Sequence, residues 1–153
     1  MNNNIVIRPA TEADYLNWLH LWEAYQAFYK TTVEHQITMM TWNRLLAPTE
    51  PMHLMLAELD DKIVGFVHVI EHPSSWTLNN YGYLQDLYVA EEYRGQGIGR
   101  ILIEKVYAMA ELEGWSRVHW LTQESNTQAR ELYDKLAEPS GFIQYRKNLP
   151  VHH

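Results

Sequence analysis

The sequence predicts an α+β fold, and three observations predict it. Apolar runs of strand length at residues 5–8, 53–59, 63–70 and 81–89 alternate with stretches whose apolar residues recur at helical spacing. Two of those runs flank Asp60-Asp61-Lys62, a short polar break of the kind that closes a hairpin. Late in the chain a helical segment lies between two strand-like runs, and such a crossover places a parallel pair in the sheet.

Residues 5–8 form a short first strand. Thr11 then offers a helix-capping hydroxyl, with Asp14 three residues on as a carboxylate variant of the capping box. Leu16, Leu19, Trp22 and Ala27 follow at helical spacing and carry the first helix to about residue 29. A second helix covers 36–46 and stops before Pro48. The hairpin follows, then an irregular stretch at 72–80 and a strand at 81–89. Ile98, Ile101, Leu102, Val106, Met109 and Ala110 mark a third helix that ends at Gly114. A strand at 117–122, a helix capped by Asn126 and reaching residue 136, and a final strand at 142–146 complete the chain.

Composition narrows the function classes. The 153 residues, with 46% hydrophobic and 20% charged, suit one globular domain, 1–153. The 12 Lys+Arg against 19 Asp+Glu give a formal charge of −7, so there is no basic surplus for nonspecific nucleic-acid binding. With no cysteine there is no disulfide framework, thiolate nucleophile or Cys-based zinc site. The eight histidines contain no HExxH and no carboxylate–histidine cluster at ligand spacing, so no metal is expected. His152-His153 reads as a frayed tail or an expression remnant. Met1-Asn-Asn-Asn-Ile-Val-Ile-Arg8 is no secretory signal, and no run approaches the roughly 18–20 apolar residues of a membrane span. A cytoplasmic protein with no membrane partner is expected.

The sharpest motif is Arg94-Gly-Gln-Gly97-Ile-Gly99, between a strand and an amphipathic helix. Alternating glycines let backbone N–H groups converge on an anion, and the helix adds the positive end of its dipole. No Lys-Ser/Thr follows, which excludes a P-loop. The sixth position counted from Gly95 is Arg100 and from Gly97 is Leu102, which excludes the dinucleotide fingerprint.

With this loop the sequence resembles the GNAT superfamily of N-acetyltransferases. Ile5-Val-Ile-Arg-Pro-Ala-Thr resembles their opening, Tyr83-Leu-Gln-Asp-Leu-Tyr-Val89 their fourth strand, and Trp120-Leu-Thr-Gln-Glu-Ser-Asn126 their fifth strand and its exit. Asn126-x-x-Ala129-x-x-x-Tyr133 resembles the element that carries the leaving-group acid. The nearest likeness is to polyamine (spermidine/spermine-type) and fungal histone/polyamine/D-amino-acid acetyltransferases.

The resemblance implies a mixed, mostly antiparallel sheet of six to seven strands, about four flanking helices, and splayed fourth and fifth strands. Acetyl-CoA is the implied co-substrate. Its pantetheine would bond to the backbone of Leu87, Tyr88 and Val89, and to the Asn126 side chain near Ala129. Asn126 equally reads as a plain helix cap. The pyrophosphate would sit on Gly95, Gln96, Gly97, Ile98, Gly99 and Arg100, with Arg94 or Arg100 assisting. Tyr133 would protonate the departing thiolate. The family's fourth-strand acid falls on Gln85, which cannot take a proton. Asp86 is therefore the leading base, provided a bulge re-aims it, with Glu124 and His119 behind. Phe28 and Tyr29, at the end of an aromatic first helix whose Trp18, Trp22 and Tyr25 read mostly as core, are the expected acceptor contacts together with Gln85. The implied reaction moves acetyl to the primary amine of a small molecule by direct attack in a ternary complex. A protein or histone lysine acceptor and a non-catalytic acyl-CoA sensor are the alternatives, and relatives' pairing suggests a homodimer.

Overall fold

A computed structural model describes residues 4–151, so His152, His153 and most of the Asn run at 2–4 lie outside the described residues. The chain divides into two compact units, Met1–Leu121 and Thr122–His153. The first holds β1 (Ile5–Pro9), α1 (Tyr15–Phe28), α2 (His35–Leu46), β2 (Met52–Leu59), β3 (Lys62–His72), β4 (Tyr81–Val89), α3 (Ile98–Glu113) and β5 (Arg117–His119). The second holds α4 (Thr127–Leu136).

The sheet runs in the order β1-β2-β3-β4-β5. Every pairing is antiparallel except β4 with β5, which the α3 crossover makes parallel. The β2–β3 hairpin turns on Asp60 and Asp61, both at positive φ (49° and 66°), as a tight two-residue loop between twisted strands requires. α1 and α2 cover one face of the sheet around Trp18, Trp22, Trp42, Leu54, Leu56 and Phe66. On the other face α3 presents the buried Leu102, Ile103 and Val106. Leu102 approaches Gly65 there, and Trp115 lies against Gly82, where a Cβ would come within 2.5 Å of its ring.

Two strand expectations are corrected. Among the described residues the sheet has five strands, not six to seven, and residues 142–146 form no strand. Phe142, Ile143 and Tyr145 are 77–89% exposed. An apolar run becomes a strand only where a neighbour accepts its hydrogen bonds, and alternation alone supplies no neighbour. β5 also stops at His119 instead of reaching residue 122.

The predicted capping box forms. The Thr11 N–H donates to Asp14 Oδ2 at 2.8 Å. Arg8 reaches both Asp14 oxygens at 2.8 and 2.9 Å and Glu58 at 3.1 Å, tying β1, β2 and the start of α1 together. The Arg8 hydrogen bond above all holds the buried Asp14 carboxyl down at about 2, against an ordinary 3.8. Because the folded value is depressed, the stabilisation is complete above the unfolded value and disappears as pH falls from about 3.8 to about 2. Asp14→Asn is expected to cost roughly 2 kcal/mol at neutral pH. In urea unfolding its deficit should shrink through that acid window; a deficit of the same size at pH 2 and pH 7 would refute the linkage.

Candidate active site

The site begins with a register shift in β4. His68 on β3 pairs with Asp86 and Val69 pairs with Leu84, so Gln85 has no partner and forms a bulge. Before it, Tyr81 and Tyr83 face the same side as β3's Ile70 and His72. After it, Asp86 and Tyr88 take that side, beside His68 and Phe66. Simple alternation would have sent Asp86 to the α3 face, so the bulge re-aims it as the sequence reading required. Gln85 itself is exposed.

Asp86 lies at the end of a buried chain of hydrogen bonds. The Trp18 indole N–H donates to His68 Nε2 at 3.1 Å. Indole nitrogen is only a donor, so His68 Nε2 carries a lone pair and Nδ1 carries the hydrogen. That Nδ1–H meets Asp86 Oδ2 at 2.9 Å, and the Tyr25 hydroxyl donates to Oδ1 at 2.9 Å. His68 is 2% exposed, whereas the Asp86 side chain keeps 17% of its surface. The carboxylate is thus fixed in position with one side open.

β5 pairs with β4 only at Tyr81–Arg117, Gly82–Val118 and Tyr83–His119. From Leu84 to Val89 the outer edge of β4 has no β5 partner, a free edge about 17 Å long at roughly 3.3 Å per residue. Leu87, Tyr88 and Val89 lie along it. The Val89 carbonyl already accepts from Arg94 Nε at 2.9 Å.

The glycine loop follows that edge. Gly95 and Gly97 are in the left-handed region (φ +81° and +80°), and a Cβ on either would meet nothing within 4 Å. Ile98 is anchored in the core at 1% exposure, so only its backbone is free to serve a ligand. The first bond of α3 runs from Ile101 N–H to the Gly97 carbonyl. The N–H groups of Ile98, Gly99 and Arg100 therefore have no acceptor within the helix and form a site for an anion. Arg100 pairs with Glu104 at 2.8 Å with both side chains half exposed, and the Arg94 guanidinium lies over the Phe28 and Tyr88 rings at 5.4 and 5.3 Å. Phe28, expected to meet the acceptor, is 55% exposed and packs on the arginine of the loop. Tyr29 is half exposed, with its ring 5.2 Å from Tyr25.

In the second unit, Asn126 stands at the start of α4 without a side-chain cap bond; its amide reaches Thr122 Oγ1 at 3.5 Å. The plain-cap reading of its side chain is thereby removed. Ala129 and Tyr133 share its helix face, and both are half buried. Glu124 is exposed, and its backbone carbonyl accepts from Arg130. No cluster of three metal-ligating side chains occurs among the described residues. A cavity of about 420 Å³, lined by Pro9, Leu45, Pro48, Met52 and Met109 among others, shares no residue with these features and brings no charged pair together.

The family model described as "Acetyltransferase (GNAT) family" matches residues 15–137. The chain belongs to the GNAT acetyltransferase family. It is 36% identical over 151 residues to a D-amino-acid N-acetyltransferase of Saccharomyces cerevisiae, covering 97% of this chain and 93% of that one. It is 30% identical over 141 residues to a thialysine N-epsilon-acetyltransferase of Bos taurus, covering 86% and 82%. In fold it resembles the solved structure of an aminoglycoside acetyltransferase from an uncultured soil metagenomic sample. The TM-score is 0.79, with 20% identity and coverage of 97% of this chain and 99% of that one.

What sequence reasoning missed in this GNAT chain is the support behind Asp86. Trp18 and Tyr25 read as core aromatics, and His68 as one more residue of an apolar strand. The available signal was a histidine inside such a run, since a buried imidazole needs partners for both nitrogens. Trp18→Phe removes one of them and leaves His68 Nε2 buried without a donor. The variant is expected to lose about 1–3 kcal/mol, read as a lower urea midpoint with an unchanged slope. Wild-type stability in Trp18→Phe would show that the bond contributes nothing.

Proposed function

We propose that this chain, as one domain, is an acetyl-CoA-dependent N-acetyltransferase acting on the primary amine of a small acceptor. The observation that carries the reading is a free, extended β4 edge leading from a side-chain-free anion loop to a fixed, partly open carboxylate. The edge suits a pantetheine arm bonding as an extra strand, and the open N–H groups of Ile98–Arg100 suit a pyrophosphate. The relatives' acceptors, a D-amino acid and thialysine, support an amino-acid-like amine.

In this reading Asp86 attracts and orients the acceptor's ammonium at the edge. Once deprotonated, the amine attacks the thioester carbonyl, the C–S bond breaks, and Tyr133 protonates the thiolate. Tyr133 holds this role by resemblance, as Asn126 holds a pantetheine contact. Cytoplasmic placement and pairing into a homodimer belong to the same proposal on the resemblance alone.

Titration calorimetry with acetyl-CoA, followed by thiol release across a panel of amines, tests the reading. Binding and release with one amine class are expected; binding without release points to a sensor, and absence of binding overturns the proposal. Gly97→Asp places a carboxylate on the anion loop in a strained backbone position, and acetyl-CoA affinity should drop at least tenfold, about 1.4 kcal/mol. Tyr133→Phe should lower kcat by roughly 10²-fold with acetyl-CoA affinity retained; normal turnover at every pH would remove it from the mechanism.

A further inference from the structure

Resting on the acetyltransferase reading, we propose that His119, positioned by His72, is the base that takes the proton from the acceptor amine. His119 ends β5 and pairs with Tyr83, the last register before β4 and β5 part. It therefore stands where the free edge begins. It shares a sheet face with Asp86: Tyr83 pairs with Ile70 and Asp86 with His68. Two residues of strand separate those β3 partners, about 7 Å.

This part of the face keeps some solvent exposure. Phe66 and His68 are sealed under α1, whereas Ile70, His72, Tyr83 and His119 are only half buried. A small acceptor held by Asp86 can lie across that floor, with its nitrogen within reach of His119 directly or through one water.

The hydrogen bonds order the imidazoles. His72 Nδ1 lies 2.9 Å from the Pro73 carbonyl, which only accepts, so Nδ1 carries the hydrogen. In neutral His72, Nε2 then has a lone pair. His119 Nε2 lies 3.3 Å from it and donates. Neutral His119 is left with its lone pair on Nδ1. Its ring plane is held by stacking on Tyr83, with centroids 5.1 Å apart and planes 9° apart.

The charged and titratable groups around His119 are His72 on β3, Tyr81 and Tyr83 on β4, and Arg117 on β5. Burial first, then His72 and Arg117, push His119 below its ordinary 6.5, so it is a free base at neutral pH. Asp86 differs, because each of its oxygens already accepts a hydrogen bond and its charge serves to hold the ammonium.

One N–H proton of the ammonium passes to His119 Nδ1, and the freed lone pair forms the N–C bond to the acetyl carbon. On collapse the C–S bond breaks, the nitrogen sheds its second proton, and the thiolate gains one. Amide, thiol and one released proton are the products. His119 touches the substrate, and His72 is a positioning residue.

Long-range ¹⁵N–¹H spectra of the histidine-labelled full chain test the arrangement without substrate. His119 should show an unprotonated Nδ1 at neutral pH, protonating only below about 6.5; a hydrogen on Nδ1 at pH 7 overturns the proposal. In turnover, His119→Gln should lower kcat by about 10²-fold or more and abolish the acidic limb of the pH profile, with acetyl-CoA affinity unchanged. His72→Phe should move that limb and lower kcat less, and His72→Gln, whose amide oxygen still accepts, should restore part of the loss. Normal turnover and an unaltered limb in His119→Gln overturn this inference alone. Thiol release from no amine by the wild-type chain overturns the acetyltransferase reading, and this one with it.

Discussion

One residue without a partner, Gln85, decides how the second half of β4 is used. A strand has two faces, and each residue inherits its face from its neighbour. The bulge breaks that inheritance once, so Tyr83 and Asp86 share a face although an odd number of positions separates them. Remove it, and Asp86 would point toward the packed residues of α3, where a lone carboxylate is costly. With it, Asp86 meets donors from α1 and β3 and stays partly open to solvent.

Polar groups under α1 follow from that placement. Trp18 brings a single donor into the core, and His68 accepts it. The ring's other nitrogen then has to donate, and Asp86 receives it. Each partner leaves the next with one defined requirement, so the tautomer of His68 and the rotamer of Asp86 are set together. The stacked and edge-on rings of Trp18, Trp22, Tyr25 and Phe66 hold this chain in place. Aromatic content that reads as plain core in the sequence thereby also positions a carboxylate. On the same face, the half-buried His72–His119 pair follows the same donor–acceptor logic, which leaves the lone pair of neutral His119 on Nδ1.

Much of this was legible in the residues, for physical reasons. The glycine loop is readable because glycine adopts the left-handed backbone at 95 and 97 at no steric cost. The hairpin is readable because consecutive aspartates accept positive φ. α3 is readable from its period and its terminal Gly114, and the capping box from Thr11 and Asp14. Arg94, read from its charge as an aid to the pyrophosphate, sets its guanidinium over two rings and bonds a strand carbonyl, contacts that its residue type alone does not specify. The run at 142–146 has the alternation of a strand without a neighbour to make it one.

The sequence by itself determined the order of elements as far as α4, the family resemblance, the glycine loop and the choice of candidate acid, all of which depend on residue type at short spacing. The tertiary structure alone decided which side Asp86 faces, that Trp18 and His68 stand behind it, that Arg94 lies over the Phe28 ring, and that His72 meets His119. These are contacts between residues 18 to 66 positions apart in the chain or a register offset of one, and local periodicity carries no information about either.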